Sequence, residues 1–287
     1  MTRWLVTGAG GMLGRDLLDV LSGEQVTAPD RAALDITDAE AVRAAVAGHD
    51  VVVNCAAWTD VDGAESAEDA ATAVNGTAVG HLARACAERG ARLLQVSTDY
   101  VLPGDASRPY TEDAATGPVN AYGRSKLVGE HAVARLLPEA GYIVRTAWLY
   151  GEHGRNFVAT MLSLAARQET VQVVDDQYGQ PTWSYQLALR LAELGRSRSA
   201  PPGVYHGTAS GRASWFELAR AAFELAGLDP ERVRPTDSAA FRRPAARPGY
   251  SVLGHARWSA AGLPPLPHWR DSLTEAMEQA AFGAFKG

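Results

Sequence analysis

The chain has 287 residues, 46% of them hydrophobic and 21% charged, with a net charge of −6; this suits a core-forming globular protein of one large domain, with or without a smaller lobe. The acidic balance argues against a nucleic-acid partner, whose phosphates call for a basic face, and no run of about 18 apolar residues is available to span a membrane. The two cysteines, Cys55 and Cys86, fall in segments that read as buried, so a disulfide framework is not expected, a reducing cytoplasm fits, and no charged leader precedes the first strand.

Trp4-Leu5-Val6 reads as a buried strand running into a glycine loop, and Leu13, Leu17, Leu18 and Leu21 then recur at helical spacing. Gln25–Ala28 is a second strand, followed by Asp30. Thr37-Asp38-Ala39-Glu40 has the spacing of a capping box, which places a helix start at Thr37. Asp50–Asn54 carries a continuous Val run, as a strand covered on both faces does. A long Ala-rich helix spans about Glu68–Glu88, Arg92–Ser97 is a fourth strand, Tyr122–Leu137 a helix and Tyr142–Trp148 a fifth strand. Strands alternating with helices predict an α/β fold, a doubly wound parallel sheet of Rossmann type. Beyond residue 150 the pattern loosens: a helix near Phe157–Arg167, a strand at Val171–Val174, a helix near Tyr185–Leu194 and a second capping box, Ser214–Glu217. The division expected is a dinucleotide-binding domain over 1–150 and a smaller substrate lobe over 151–287, partly interleaved with it and packed by Trp183, Trp215, Trp258 and Trp269.

Gly8, Gly10, Gly11 and Gly14, with Met12 and Leu13 between the last two, sit after a strand and before a helix. A pyrophosphate at a helix N-terminus must touch backbone N–H groups, and a Cβ there would block it. Asp30 follows Gly8 by about 20 residues, where a carboxylate accepts from the ribose hydroxyls of NADH. Arg31 beside it suits the 2′-phosphate of NADPH, so both cofactors stay open. Asp35 and Ile36 are placed to close over the adenine, while Asp35 equally fits a helix-entry residue.

Tyr122 and Lys126 stand four apart on one helix face. An ammonium near a phenol stabilises the phenolate and is expected to bring its pKa down towards neutrality, so that Tyr122 protonates a carbonyl oxygen as hydride reaches the carbon. Thr98, in Ser97-Thr98-Asp99 at the end of the fourth strand, lies where open parallel sheets place ligand sites. The three make the candidate catalytic set Thr98, Tyr122 and Lys126.

These features together resemble the extended short-chain dehydrogenase/reductase family. Val74-Asn75-Gly76-Thr77 is similar to the family's active-site helix motif, and Asn54-Cys55-Ala56-Ala57-Trp58-Thr59 to the segment passing under the cofactor, which adds Ala56, Ala57 and Trp58 to the cofactor set. Ser97–Val101, Asn120–Gly123, Arg145–Trp148, Asn156-Phe157, Asp176–Thr182 and Arg247-Pro248 resemble the branch that reduces the C4 ketone of dTDP-linked 4-keto-6-deoxysugars. The resemblance implies turnover of dTDP-4-dehydro-L-rhamnose to dTDP-L-rhamnose, or of a related ketosugar of secondary metabolism, with NADPH or NADH as donor. It also implies substrate contacts at Thr98, Asp99, Trp148, Asn156 and Gln177. Arg247 reads from its charge as a diphosphate clamp or a surface-loop residue, and Asn156 fits a helix cap equally well. Some members hold magnesium between glutamates at a dimer contact; Asp16 and the neighbourhood of Tyr185 stand at those positions here, so no metal is expected, and the chain is a monomer or a homodimer.

Related dehydratases need an acid after Thr-Asp in the loop beyond strand four; Tyr100 stands there, which disfavours elimination. A non-catalytic dinucleotide-binding regulatory subunit and a nucleotide-sugar epimerase remain as alternatives. His153 reads as a solvated loop residue and His206 as structural; the seven histidines show no metal spacing.

Overall fold

The computed structural model describes residues 1–279. Its first half runs β1 (Arg3–Thr7), α1 (Met12–Val20), β2 (Gln25–Thr27), α2 (Ala39–Val46), β3 (Val51–Asn54), α3 (Val61–Ala64), α4 (Glu68–Thr72), α5 (Ala78–Arg89), β4 (Arg92–Thr98), α6 (Ala121–Leu136) and β5 (Gly141–Thr146). The second half adds β6 (Leu149–Tyr150), α7 (Phe157–Ala165), β7 (Val171–Val174), β8 (Tyr178–Gly179), β9 (Thr182–Trp183), α8 (Ser184–Arg196), β10 (Gly203–His206), β11 (Ala213–Ser214), α9 (Trp215–Leu225), β12 (Val233–Thr236), α10 (Ala256–Ala260) and α11 (Trp269–Glu278). Among the described residues no helix is long and apolar enough to cross a membrane.

Six parallel strands form the central sheet in the order β10-β5-β4-β3-β1-β2. The Rossmann-type expectation holds, and β10 enters from the second half of the chain. Side chains alternate across each strand. Trp4, Val6, Val51 and Val53 enter one core, under α1 and α8. Leu5 and Val52 enter the other, under α2 and α5. That two-sided burial is why β3 is an unbroken Val run. The chain passes from β1 outward to β2 and then back across to β3. A crevice at such a reversal opens at the carboxyl ends of the strands.

Two smaller clusters, around Trp183, Trp269 and Leu273 and around Phe223 and Val171, support the second half. Trp258, expected among them, instead packs with Tyr205 and Trp4 in a main-sheet core, because α10 lies against β10. The capping box at Ser214 forms in full: Glu217 N donates to Ser214 Oγ at 3.1 Å and Ser214 N to the Glu217 carboxylate at 2.7 Å. The one expected at Thr37 does not. Asp38 caps α2, accepting from Glu40 N and Ala41 N, while Thr37 donates to Asp35 from both its backbone and its hydroxyl. Asp38 takes the helix N–H groups, and Asp35 engages the Thr37 hydroxyl as a donor, so that hydroxyl caps nothing. The long Ala-rich helix is interrupted by a π-helical turn at Ala73–Thr77, a feature that accompanies functional sites.

Candidate active site

The glycine loop closes on itself by Gly11 N donating to Gly8 O at 3.0 Å. Gly8 has φ +70°, and a Cβ on it would lie 2.4 Å from Ala56 N. A Cβ on Gly14 would lie 2.4 Å from Gly8 O. Both positions require glycine, so that β1, the loop and the segment after β3 can meet backbone to backbone. Gly10 and Gly11 face outward; a Cβ on Gly10 would meet nothing within 4 Å. Gly11 is the N-cap of α1 and offers no side-chain cap, and the first turn has no acidic residue. The N–H donors of that turn therefore have no side-chain cap and the helix dipole behind them, the donor set a pyrophosphate needs. Leu13 is buried in the core, so only its backbone is available, while Met12 packs towards Gly151.

The other expected cofactor residues divide. β2 ends at Thr27, so Asp30 lies in the following turn, not at the strand end, and accepts from Ala33 N at 2.8 Å. Asp30 and Arg31 are both exposed. Asp35 spends one oxygen on Thr37, whose two hydrogen bonds hold its carboxyl below the usual range, and Ile36 is buried in the core. Ala56, Ala57 and Trp58 run half-buried beside Gly8. Trp58 is pinned by Asn75: its N–H donates to Asn75 Oδ1 at 2.9 Å, and Asn75 Nδ2 donates to its carbonyl at 3.0 Å.

At the end of β4, Thr98 and Asp99 are buried, and Thr98 Oγ1 donates to Asp99 Oδ1 at 3.0 Å. Asn120 caps α6 by accepting from Gly123 N at 2.8 Å, which fixes the start of the helix carrying Tyr122 and Lys126. Tyr122 meets the Thr98 hydroxyl and stands edge-on to Tyr100, ring centroids 6.0 Å apart. Lys126 is buried and donates to Val96 O at 2.7 Å. Thr98, Asp99, Tyr122 and Lys126 are thus gathered where β4 meets α6. The expected fall in the Tyr122 pKa is not found. Burial pushes the phenol well above its ordinary value, the Asp99 charge adds to this, and the Thr98 hydrogen bond opposes it only in part. Loss of water around the phenolate outweighs what the helix alone promises. Burial pulls Lys126 down to about 8, against the pull of Glu130, and lifts Asp99 to about 6, against hydrogen bonds from Ser251 and Thr98.

An aromatic cluster begins just beyond the end of β5, at Trp148. Trp148 has φ +48°, a left-handed conformation that a bulky residue rarely takes. Its ring stacks on Trp215 at 3.5 Å and 8°, and Trp215 leans on Phe157. A Cβ on Gly179 would strike the Trp148 ring at 2.5 Å, so the glycine of β8 leaves that ring its room. One face of Trp148 is therefore taken by Trp215. Asn156 serves as the cap of α7, accepting from Ala159 N and donating to Gly151 O, both at 2.9 Å. Gln177 donates to Ser238 Oγ at 2.8 Å. Arg247 is partly buried and paired with Asp62 at 3.0 Å, which ties the 242–248 loop to α3. It is not a free surface residue.

Several buried polar contacts at the site join residues that the sequence does not connect, although Asn54, Asn75 and Arg145 stand within stretches that carry the family resemblance. Thr7 donates to Asn54 at 2.6 Å and Asn54 to Gln95 at 2.7 Å, a ladder across β1, β3 and β4 beneath the crevice. Glu130 and Arg145 form a buried pair beside Ser97. Asn75 also donates to Ser125 Oγ at 3.0 Å. A polar residue inside an apolar run was the one signal available for Gln95. Asp16, Asp19 and His153 bring potential ligand atoms within 4.8 Å of one another, where no metal was expected. His206 is fully buried, its Nδ1 2.8 Å from Gly254 O, and burial pulls it down to about 3.

A parallel sheet with a glycine-lined helix start at its switch point, and a Thr-Tyr-Lys set beside it, define an oxidoreductase of the short-chain dehydrogenase/reductase class. Comparison with known proteins narrows this. The family described as the RmlD substrate binding domain matches residues 2–282, and the chain belongs to it. The chain is 59% identical to a dTDP-4-dehydrorhamnose reductase of Streptomyces griseus, over 96% of its own length and 92% of that protein. It is 53% identical to a dTDP-4-keto-6-deoxy-D-glucose reductase of Streptomyces niveus, over 96% of each. The crystal structure of dTDP-4-dehydrorhamnose reductase from Bacillus anthracis in complex with NADP superposes with a TM-score of 0.92 at 36% identity, covering 97% of this chain and 100% of that one.

Proposed function

We propose that this protein reduces the C4 ketone of a dTDP-linked 4-keto-6-deoxysugar, dTDP-4-dehydro-L-rhamnose to dTDP-L-rhamnose or a related ketosugar, with NADPH or NADH as donor, in the cytoplasm. Residues 1–150 form the dinucleotide-binding domain and 151–287 a substrate-binding lobe partly interleaved with it. The observation that carries the reading is the meeting of Tyr122 with Thr98 and Asp99 at the carboxyl end of β4, above a buried Lys126. The names of the relatives supply the substrate class.

The uncapped first turn of α1 would hold the pyrophosphate, and Lys126 and the 55–58 segment would border the nicotinamide half. When bound, the reduced dinucleotide supplies the hydride that C4 accepts. Tyr122 must be a phenol before it can be an acid, and its raised pKa keeps the proton in place at neutral pH. Thr98 orients the carbonyl oxygen towards that hydroxyl. The proton passes to O4, giving the alcohol, and the phenolate left behind draws on the nearby ammonium of Lys126. Trp148, half-buried, borders the sugar, and Arg247 exchanges part of its hold on Asp62 for the diphosphate. Tyr100, itself pushed up by burial and by Asp99, offers no carboxylate for elimination.

The test is oxidation of NADPH, followed by its absorbance, when the purified chain meets a dTDP-4-keto-6-deoxysugar. Turnover with formation of the 4-hydroxy sugar supports the reading. Cofactor binding without turnover of any dTDP-ketosugar favours the regulatory-subunit alternative and removes the reductase.

A further inference from the structure

One helical turn beyond Lys126, on the same face of α6, lies Glu130. Tyr122, Lys126 and Glu130 follow one another four residues apart, about 6 Å along the axis each time. All three lie along β4, and each engages it differently. Tyr122 meets the Thr98 hydroxyl, Lys126 donates to the Val96 carbonyl at 2.7 Å, and Glu130 accepts from Ser97 Oγ at 2.6 Å. Of the three, Glu130 is also tied to β5. Arg145 Nε donates to Glu130 Oε1 at 3.0 Å and Nη2 to Oε2 at 2.7 Å, with both side chains 4% exposed. Ser97 and Arg145 are register partners on the two strands. The carboxylate is therefore held at three points, by groups from two adjacent strands, in a place water does not reach.

A buried charge pair is weak evidence of stabilisation, since desolvation offsets most of the attraction. What such a pair does well is select one register. A slip of α6 along its axis would strand Glu130 and Arg145 without partners, which is strongly unfavourable. The same slip would carry Lys126 off Val96 and Tyr122 off Thr98. We propose that Glu130 is a positioning residue for the reduction: clamped between Ser97 and Arg145, it sets the register of α6 on β4 and faces Lys126 with its one buried carboxylate.

The charged and titratable groups around Lys126 are few. Glu130 and Tyr122 lie on its own helix, Cys55 lies after β3, and Arg145 of β5 stands behind Glu130. Burial pushes the Cys55 thiol up to about 12, so it stays neutral. Asp99 stands beyond Tyr122 at the end of β4. Glu130 is the carboxylate that favours the charged lysine; removing it leaves Arg145 as the nearer influence, which disfavours it.

The experiment compares Glu130→Gln, Glu130→Asp and Ser97→Ala with the parent in NADPH-dependent ketosugar reduction across pH. It rests on the reductase reading, but the two fail separately: an inactive parent defeats that reading, whereas an active parent with an indifferent Glu130 defeats this one. For E130Q the expected result is a fall in kcat of about tenfold or more at neutral pH, with the KM for the sugar little changed and the alkaline limb displaced to lower pH by roughly one pH unit. E130D keeps the charge, so its limb stays near that of the parent while kcat falls. S97A lowers kcat less than E130Q and leaves the limb in place. Should E130Q not fold, E130D and S97A carry the test, and a parental kcat in both overturns the proposal. A folded E130Q with the parental kcat and pH profile overturns it as well. So does a loss in E130Q that follows only the fraction of folded protein, with the limb unmoved.

Discussion

Replacing Tyr122 by Phe deletes one oxygen and leaves the ring. The edge contact with Tyr100, at 6.0 Å and 82°, is kept, and so is the capped first turn of α6. What is lost from the fold is the interaction with the Thr98 hydroxyl, at most about 1 kcal/mol. What is lost from the reaction is the proton donor. A positioned general acid contributes about 10²–10⁴-fold, or roughly 3–5 kcal/mol of barrier. The effect on kcat should therefore exceed the effect on stability several-fold. Cofactor affinity should barely move, because the N–H donors of α1 and the Lys126–Val96 contact do not involve the phenol. Three measurements on the purified variant decide the matter: steady-state NADPH oxidation, fluorescence titration with NADPH, and a thermal melt. The reasoning is refuted if kcat stays within about threefold of the parent while binding and melting are also unchanged. A collapse of binding in step with kcat would refute it too, since the tyrosine would then be holding the cofactor.

Lys126 predicts opposite pH trends for activity and stability. As pH rises through about 8 the ammonium loses its proton and kcat should decline. Its folded pKa lies below the ordinary 10.5, so over that window the unfolded chain binds a proton that the folded chain does not, and this group's contribution to stability rises with pH by at most roughly 3 kcal/mol. Comparing melts of the parent and Lys126→Met across pH checks the sign. Gly14→Ala puts a Cβ 2.4 Å from Gly8 O and 2.7 Å from Ala9 Cα, both backbone atoms, so the loop must move; NADPH affinity should fall by about tenfold or more, and an unchanged titration would contradict the close-approach argument. Asn75→Ala leaves Trp58 N, Trp58 O and Ser125 Oγ without their buried partner, at a cost of about 3 kcal/mol. A melt within a degree or two of the parent would show that the π-helical turn does not depend on that side chain.

Much of the fold was written in local signals. The Val run of β3, the leucine spacing of α1 and the capping box at Ser214 each act within a few residues, and each formed. The glycine spacing at 8, 11 and 14 was legible for the same reason: it encodes a backbone path that admits no Cβ. Local reading failed where neighbouring groups compete, as at Thr37, where Asp35 and Asp38 take the hydrogen bonds. The tertiary structure alone decided which side chains meet across the chain. The Trp148–Trp215 stack, the Asn75–Trp58 clasp and the Ser97–Glu130–Arg145 clamp join residues that no periodicity connects. It also decided the direction of the Tyr122 pKa. Helical spacing brings an ammonium near a phenol, but the exclusion of water and the presence of Asp99 depend on how α6 lies against β4, and desolvation depends on every atom around the group rather than on its place in the chain.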